Sequence, residues 1–217
     1  MSARDVIANL RELAELTSTA DGAQRLAWGP VWRQARGWFN GKLATLGITP
    51  EIDAAGNSWA TLRGDSDRTV IIGSHLDSVP NGGWLDGALG VIAALGVLRA
   101  WAESGERPPR DIVLVDWADE EGARFGRSLL GSSAAAGTLD PDDVRDLRDA
   151  KGTRLQDALA ACDVDLDGAG AATATPRRSC SCSTASSRWS SRSSSPPAGG
   201  STSSRATRRW RSSAPRT

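Results

Sequence analysis

The residues most able to do chemistry are one histidine and several acids that follow short apolar runs. His75 is the only histidine of the 217-residue chain, and it lies in the octet Gly-Ser-His-Leu-Asp-Ser-Val-Pro that begins at Gly73. Asp86 follows in Trp-Leu-Asp-Gly, and the acidic group Asp119-Glu120-Glu121 follows the run Ile-Val-Leu-Val-Asp-Trp-Ala. Imidazole nitrogens and carboxylate oxygens bind zinc, manganese, cobalt and nickel. The pattern therefore indicates a candidate metal site.

The elements that must position these residues form a strand–helix–strand unit. The β-branched run from residue 69 to 73 predicts a buried strand that ends at the histidine. Residues 88–103 predict a small-residue apolar helix, and residues 111–117 predict a second buried strand that ends at the acidic group. Such a unit favours an α/β fold with a parallel or mixed sheet and flanking helices. Functional side chains then gather at the carboxyl ends of the strands.

The remaining predicted elements surround this unit. Hydrophobic spacing and turn residues predict helices over 6–16, 31–46 and 155–161, a capped helix start at Asp140, and strands over 49–52 and 58–62 joined by a hairpin turn at 54–57.

Composition divides the chain into two parts. From Thr175 onwards the chain has nine arginines and no acidic residue, and since the whole chain has 26 basic and 26 acidic residues, the part before Thr175 carries a net charge of −9. The Ser/Arg-rich part has almost no aliphatic residue to bury, so ordering it would cost more entropy than packing returns. We expect an ordered domain over 1–170 and a disordered tail over 171–217.

Features that the sequence lacks predict where the protein is located and that it does not associate with a membrane. No apolar stretch approaches the roughly 20 residues that span a bilayer, and the first residues predict an amphipathic helix rather than a signal peptide. Three sparse cysteines do not make a disulfide framework or a zinc finger. We expect a cytoplasmic protein that does not enter a membrane.

Each chemical signal also has a plain structural interpretation. His75 can be a polar loop residue, and Asp77 and Asp86 can be turn-forming residues beside glycines. An acidic run such as Asp119-Glu120-Glu121 can be a solvated loop or can favour a helix N-terminus. The residues alone leave these alternatives open.

Three motifs at their observed spacing resemble one enzyme family. Gly-Ser-His-Leu-Asp-Ser-Val at 73–79, Gly-Gly-Trp-Leu-Asp-Gly-Ala-Leu-Gly-Val at 82–91, and Asp-Glu-Glu-Gly-Ala-Arg-Phe at 119–125, followed by Gly-Ser at 131–132, carry the resemblance. The family is the metal-dependent amidase or hydantoinase/carbamoylase family. It comprises N-carbamoyl-L-amino acid hydrolases, allantoate amidohydrolases and β-ureidopropionases, within the aminoacylase/carboxypeptidase superfamily. The resemblance spans roughly residues 5–170 and implies a metallopeptidase-like catalytic domain.

The resemblance also implies a role for each site residue. His75 would be a terminal ligand of one metal, Asp86 the bridge between two metals, and Glu121 a terminal ligand of the second. Glu120 would be the general base, and Asp77 would accept the second N–H of His75. It implies two divalent ions (zinc, manganese, cobalt or nickel), a small ureido or carbamoyl substrate, hydrolysis of a linear C–N bond, and a homodimer. The family's Arg-Phe pair, here at 124–125, is interpreted as structural support of the site loop.

The chain also departs from the family pattern. Family members carry two further histidines and an inserted lid domain with dimer contacts, and this chain has neither. A one-base frame shift of codons for residues 180–189 permits a sequence similar to the family's histidine strand, so we interpret the tail as out of frame. We therefore expect the N-terminal half of such an enzyme, truncated and impaired. The alternatives are an inactive fragment and a tail that binds nucleic acid, although the tail has no repeat and no stacking aromatics beyond Trp189 and Trp210.

Overall fold

A mixed four-stranded sheet organises the part of the chain that the computed structural model describes, residues 2–170. Its strands are β3 (Glu51–Ile52), β4 (Ser58–Leu62), β5 (Thr69–His75) and β6 (Asp111–Trp117), in the order β3-β4-β6-β5. A separate antiparallel ribbon precedes them in the chain, formed by β1 (Ser18–Thr19) and β2 (Gly22–Ala23). The predicted α/β class with a mixed sheet is confirmed.

Strand register brings the two predicted site loops to one edge of the sheet. β5 and β6 are parallel, with Thr69 opposite Asp111 and His75 opposite Trp117. β4 runs antiparallel to β6. Because parallel strands end on the same side, His75 and the acidic loop that follows Trp117 emerge side by side.

Seven helices are described over residues 2–170, and most match the sequence-based predictions. Ser2 and Asp5 form a reciprocal capping box at the first helix, and Asp140 caps the fifth by accepting the N–H of Asp142. The helices are α1 (Ala3–Thr17), α2 (Pro30–Ala44), α3 (Ala88–Ser104), α4 (Leu130–Ala135), α5 (Pro141–Val144), α6 (Leu155–Ala160) and α7 (Leu166–Gly170).

Two large apolar clusters and a small one around Trp59 hold the described elements together. The first lies between the sheet and helices α1, α2 and α3, and its fully buried members include Leu13, Phe39, Leu95 and Leu114. The second gathers side chains from the helices after β6 around Trp28. It includes residues on both sides of the acidic loop, so packing as well as strand register supports that loop.

The expectation that β5 is buried is wrong. Val70 is 41% exposed and Ile71 is 49% exposed, since within residues 2–170 β5 pairs on one side only, with β6. A β-branched run predicts a strand but does not reveal how many neighbours the strand has. The predicted strand at 49–52 is also shorter in the structure, where β3 covers Glu51–Ile52.

The structure does not test the predicted tail, and it tests the membrane prediction only for the described helices. The disordered, out-of-frame tail predicted over 171–217 lies outside the described residues. Among the helices that are described, none combines the length and apolarity needed to cross a membrane.

Candidate metal centre

Three predicted metal ligands come together at the carboxyl edge of the sheet. One ligand atom from each of His75, Asp86 and Glu121 lies within 4.8 Å of the others. His75 ends β5, Asp86 precedes α3, and Glu121 lies on the loop after β6. One imidazole and two carboxylates form a donor set that suits zinc, manganese, cobalt or nickel. The residues present therefore fit a divalent metal ion.

A glycine allows the Asp86 loop to approach the imidazole. Gly87 has a φ of 63°, a left-handed conformation that glycine adopts without strain. A Cβ atom at this position would collide with the ring and main chain of His75. The Asp-Gly pair in the sequence therefore has a physical basis, because any larger residue would push Asp86 away from His75.

Hydrogen bonding orients the His75 ring. Its Nδ1 atom lies 3.1 Å from the main-chain oxygen of Asp77 and 3.5 Å from a carboxylate oxygen of the same residue. A carbonyl oxygen can only accept, so Nδ1 carries the proton and Nε2 is left for a metal. Burial alone lowers the pKa of His75, but the hydrogen bonds and charge of Asp77, together with Glu121, raise it to about 9.

Asp77 contacts the acidic loop as well as the histidine. Its side chain is 1% exposed. One carboxylate oxygen accepts the main-chain N–H of Glu121 at 3.0 Å, and the other accepts that of Glu120 at 3.3 Å. Asp77 thus connects the loops that follow β5 and β6, beyond the contact with His75 that the resemblance implied.

The predicted base lies beside the ligand group. Glu120 is half-buried, and Ser132 Oγ donates a 2.7 Å hydrogen bond to its Oε2 atom. At Glu121, burial raises the pKa; the charge of His75 opposes this, while those of Asp86 and Asp77 add to it. Several acids therefore share a small, partly buried space. A bound cation would relieve their repulsion.

Asp119 anchors the start of the acidic loop. Its φ of 54° is unusual for a non-glycine residue, and the indole Nε1 of Trp28 donates to its Oδ2 at 2.8 Å. Its Oδ1 atom is buried without a hydrogen-bond partner in the described part of the chain. Burial raises the pKa of Asp119 to about 7.

Arg124 supports the loop from its far side. It forms a 3.0 Å ion pair with Asp149 and donates to the main-chain oxygen of Ala27 at 3.3 Å. Its guanidinium lies 5.0 Å from the ring centre of Phe125. These contacts agree with the structural interpretation of the Arg-Phe pair.

The sequence analysis missed three charged residues beneath the site. Asp116 is fully buried and forms a 2.8 Å ion pair with Arg36, and Arg25 is fully buried beside them. An aspartate inside the apolar run of β6 was a usable signal, because buried carboxylates are rare without partners. Nothing in the sequence pattern marked either arginine.

An α/β sheet with a histidine–carboxylate group at its carboxyl edge defines a candidate metal-dependent hydrolase. Comparison with known proteins agrees with this class. The profile of peptidase family M28 matches residues 57–186, which is more than half of the chain. The chain belongs to this family, whose members are metal-dependent enzymes.

Two curated relatives and one solved structure show which members of the family the chain is similar to. The chain is 37% identical over 145 residues to an allantoate amidohydrolase of Escherichia coli, covering 66% of this chain and 35% of the relative. It is 39% identical over 161 residues to an N-carbamoyl-L-amino acid amidohydrolase of Geobacillus stearothermophilus, covering 73% of this chain and 39% of the relative. A hydantoinase/carbamoylase family amidase from Burkholderia ambifaria superposes with a TM-score of 0.72 at 34% identity, covering 81% of this chain and 43% of that one.

These likenesses confirm the resemblance to the hydantoinase/carbamoylase family. The relatives are amidohydrolases, enzymes that act on C–N bonds. The chain spans only 35% and 39% of the length of the two curated relatives.

Proposed function

We propose that the protein is a metal-dependent hydrolase of linear amide or ureido C–N bonds, of the N-carbamoyl-amino acid or allantoate type. The observation that carries this proposal is the approach of His75, Asp86 and Glu121 to within 4.8 Å of one another. The names of the relatives support the substrate class, a small molecule with a ureido or carbamoyl group.

His75 Nε2 and the carboxylates of Asp86 and Glu121 would hold the metal. We propose two divalent ions, zinc, manganese, cobalt or nickel, with Asp86 shared between them. When bound, such ions supply a Lewis acid and a water of lowered pKa. His75 is the only histidine of the chain, so the other two proposed ligands are carboxylates.

Glu120 is the proposed general base. Its main chain is held by Asp77 at 3.3 Å and its carboxylate by Ser132 at 2.7 Å, which leaves the second carboxylate oxygen to take a proton from water. A base held at both ends needs little reorganisation before it acts. Asp77 is proposed to fix the orientation of the His75 ring by accepting from Nδ1.

The variant Glu120→Gln tests this assignment. Ammonia release from N-carbamoyl-amino acids and allantoate, measured on the metal-loaded 217-residue chain, should fall by about 10²–10⁴-fold, the usual contribution of a general base. Metal content should stay unchanged, because Glu120 is not a proposed ligand.

Glu51→Gln is the matched control, since Glu51 is exposed on β3; it should leave both turnover and metal content unchanged. Unchanged turnover in Glu120→Gln would reject the base. A wild-type chain that binds metal but hydrolyses neither substrate would contradict the proposed activity and support the alternative, an inactive fragment.

The wider organisation is also proposed. Residues 1–170 would form the catalytic portion of a cytoplasmic protein, and we propose the homodimer that the family resemblance implies. Removing residues 176–217 should leave hydrolysis unchanged if the tail has no part in it. A loss of hydrolysis in the shortened chain would assign the tail a role in the site.

A further inference from the structure

A buried carboxylate on β6 binds the segment that directly follows His75, residues 76–80, which we term the histidine loop. Asp116 is 0% exposed, and its Oδ1 atom accepts the main-chain N–H of Leu76 at 2.7 Å. Leu76 lies between His75, a proposed ligand, and Asp77, which contacts the acidic loop. Asp116 therefore fixes the peptide that directly follows His75 and precedes Asp77.

Arg36 holds Asp116 in turn. Its Nε donates to Asp116 Oδ2 at 2.8 Å, and its two terminal nitrogens donate to the main-chain oxygens of Gly56 at 2.6 Å and Asp116 at 3.1 Å. The guanidinium also lies 4.1 Å from the ring centre of Trp32. Each of these contacts limits the movement of the guanidinium, so the carboxylate has a fixed and charged partner.

Arg25 holds the other side of the same peptide. Its Nε donates to the main-chain oxygen of Leu76 at 2.6 Å, and its own N–H donates to Ser78 Oγ at 3.1 Å. Both polar groups of Leu76 are therefore bonded to buried charged side chains. Burying such charges costs folding energy that apolar residues would not cost, which is unusual for contacts that serve stability alone.

Reciprocal hydrogen bonds connect the histidine loop with β6 and the acidic loop. Asp116, on the strand that leads to the acidic loop, accepts from the histidine loop. Asp77, on the histidine loop, accepts from Glu120 and Glu121 of the acidic loop. Two buried carboxylates, neither of them a proposed metal ligand, therefore connect the segments that carry His75 and Glu121.

We propose that Asp116, held by Arg36, is a positioning residue that sets the separation of His75 and Glu121 through the Leu76 peptide. The inference rests on the proposed metal site and adds to it a residue outside the ligand group. Outer contacts of this kind commonly change metal affinity by about 10–100-fold.

The same strand offers a matched control at its opposite end. Asp111, 6% exposed, forms a 2.7 Å ion pair with Arg63 and accepts the main-chain N–H of Gly64 at 2.8 Å. It repeats the chemistry of Asp116, with an arginine on one oxygen and a main-chain N–H on the other. It lies at the end of β6 away from the metal site.

The test compares Asp116→Asn with Asp111→Asn in the 217-residue chain, with Co²⁺ as the probe. Calorimetric titration should give a Kd weakened about 10–100-fold in Asp116→Asn and changed by less than about threefold in Asp111→Asn. The visible spectrum of bound Co²⁺, which reports ligand geometry, should change in Asp116→Asn alone. Equal Kd values for Asp116→Asn and the wild type, or an equal loss in both variants, would overturn the proposal.

Amide hydrogen exchange of the metal-free protein gives a second readout. Exchange of the Leu76 and Glu121 N–H groups should be faster in Asp116→Asn than in the wild type, and unchanged in Asp111→Asn. This result separates the two claims: a wild type that binds no Co²⁺ would reject the metal site, while unchanged exchange in Asp116→Asn would reject the positioning role.

If Asp116→Asn does not fold, Arg36→Lys decides the matter. It keeps Asp116 and a positive charge but loses the multiple N–H donors of the guanidinium. A weaker Kd for Co²⁺ with a changed spectrum supports the proposal, and wild-type values overturn it.

Discussion

Strands β5 and β6 each deliver residues to the candidate site, yet they are supported very differently. β6 pairs with β4 on one side and β5 on the other, and all its residues but Trp117 are buried. β5 has one partner within residues 2–170, and Val70 and Ile71 are 41% and 49% exposed. The acidic loop therefore follows a strand fixed by packing, whereas His75 is the last residue of an edge strand. The position of His75 depends more on hydrogen bonds between the loops than on the burial of its strand.

The largest expected effect is a difference in the free energy of unfolding between substitutions on β6 and on β5. Leu114 of β6 is 0% exposed, and Leu114→Ala should lower the free energy of unfolding by about 2–5 kcal/mol, the usual cost of a buried leucine. Val70→Ala on β5 should cost less than about 1 kcal/mol, because Val70 is 41% exposed. Urea denaturation of both variants measures the difference. Similar losses would show that β5 is as firmly packed as β6.

The next effect concerns the anchor of the acidic loop. Trp28→Phe removes the indole donor of Asp119 Oδ2 and leaves a buried carboxylate unsatisfied, which should cost about 1–3 kcal/mol. Trp32→Phe is the control, because Trp32 is 2% exposed and its Nε1 has no hydrogen-bond partner in the described structure. Chemical denaturation at neutral pH should rank the two variants in that order. An equal or larger loss in Trp32→Phe would contradict the role of the Trp28 hydrogen bond.

A smaller effect, the pH dependence of metal binding, tests the protonation state of His75. Its pKa is raised from 6.5 to about 9, so a metal at neutral pH must displace a proton. The Kd for metal should fall by about tenfold per pH unit from pH 7 and level off above pH 9. The metal-free protein should behave in the opposite sense. Its stabilisation by protonated His75 is complete below pH 6.5 and is lost as pH rises through about 9.

Calorimetry at several pH values, in buffers of different ionisation enthalpy, measures the protons released on binding. A Kd that does not vary between pH 7 and pH 9 would contradict the protonated state of His75.

Local pattern accounts for much of this architecture. The bounds of β4 and β6 follow from apolar runs between turn residues, and the ends of α1 and α3 agree with prediction within a few residues. The meeting of His75 with Glu121 was predictable because parallel strands end together. These features depend on neighbours in the sequence or on a general rule of sheets.

Long-range contacts were not predictable from the sequence. The ion pair of Arg36 with Asp116 joins residues 80 positions apart, and the bond from Trp28 to Asp119 spans 91. No periodicity marks such partners. The exposure of β5 also escaped prediction, since its β-branched residues would suit a central strand equally well.

Metal titration of the wild type beside His75→Gln and Glu121→Gln tests the central claim most directly. The wild type should bind Zn²⁺ or Mn²⁺, and each variant should bind more than about a hundredfold more weakly, since a direct ligand should matter more than an outer contact. Glu106→Gln, at an exposed position, should bind as the wild type does. A wild type that binds no metal, or ligand variants with unchanged affinity, would contradict the assignment of this site.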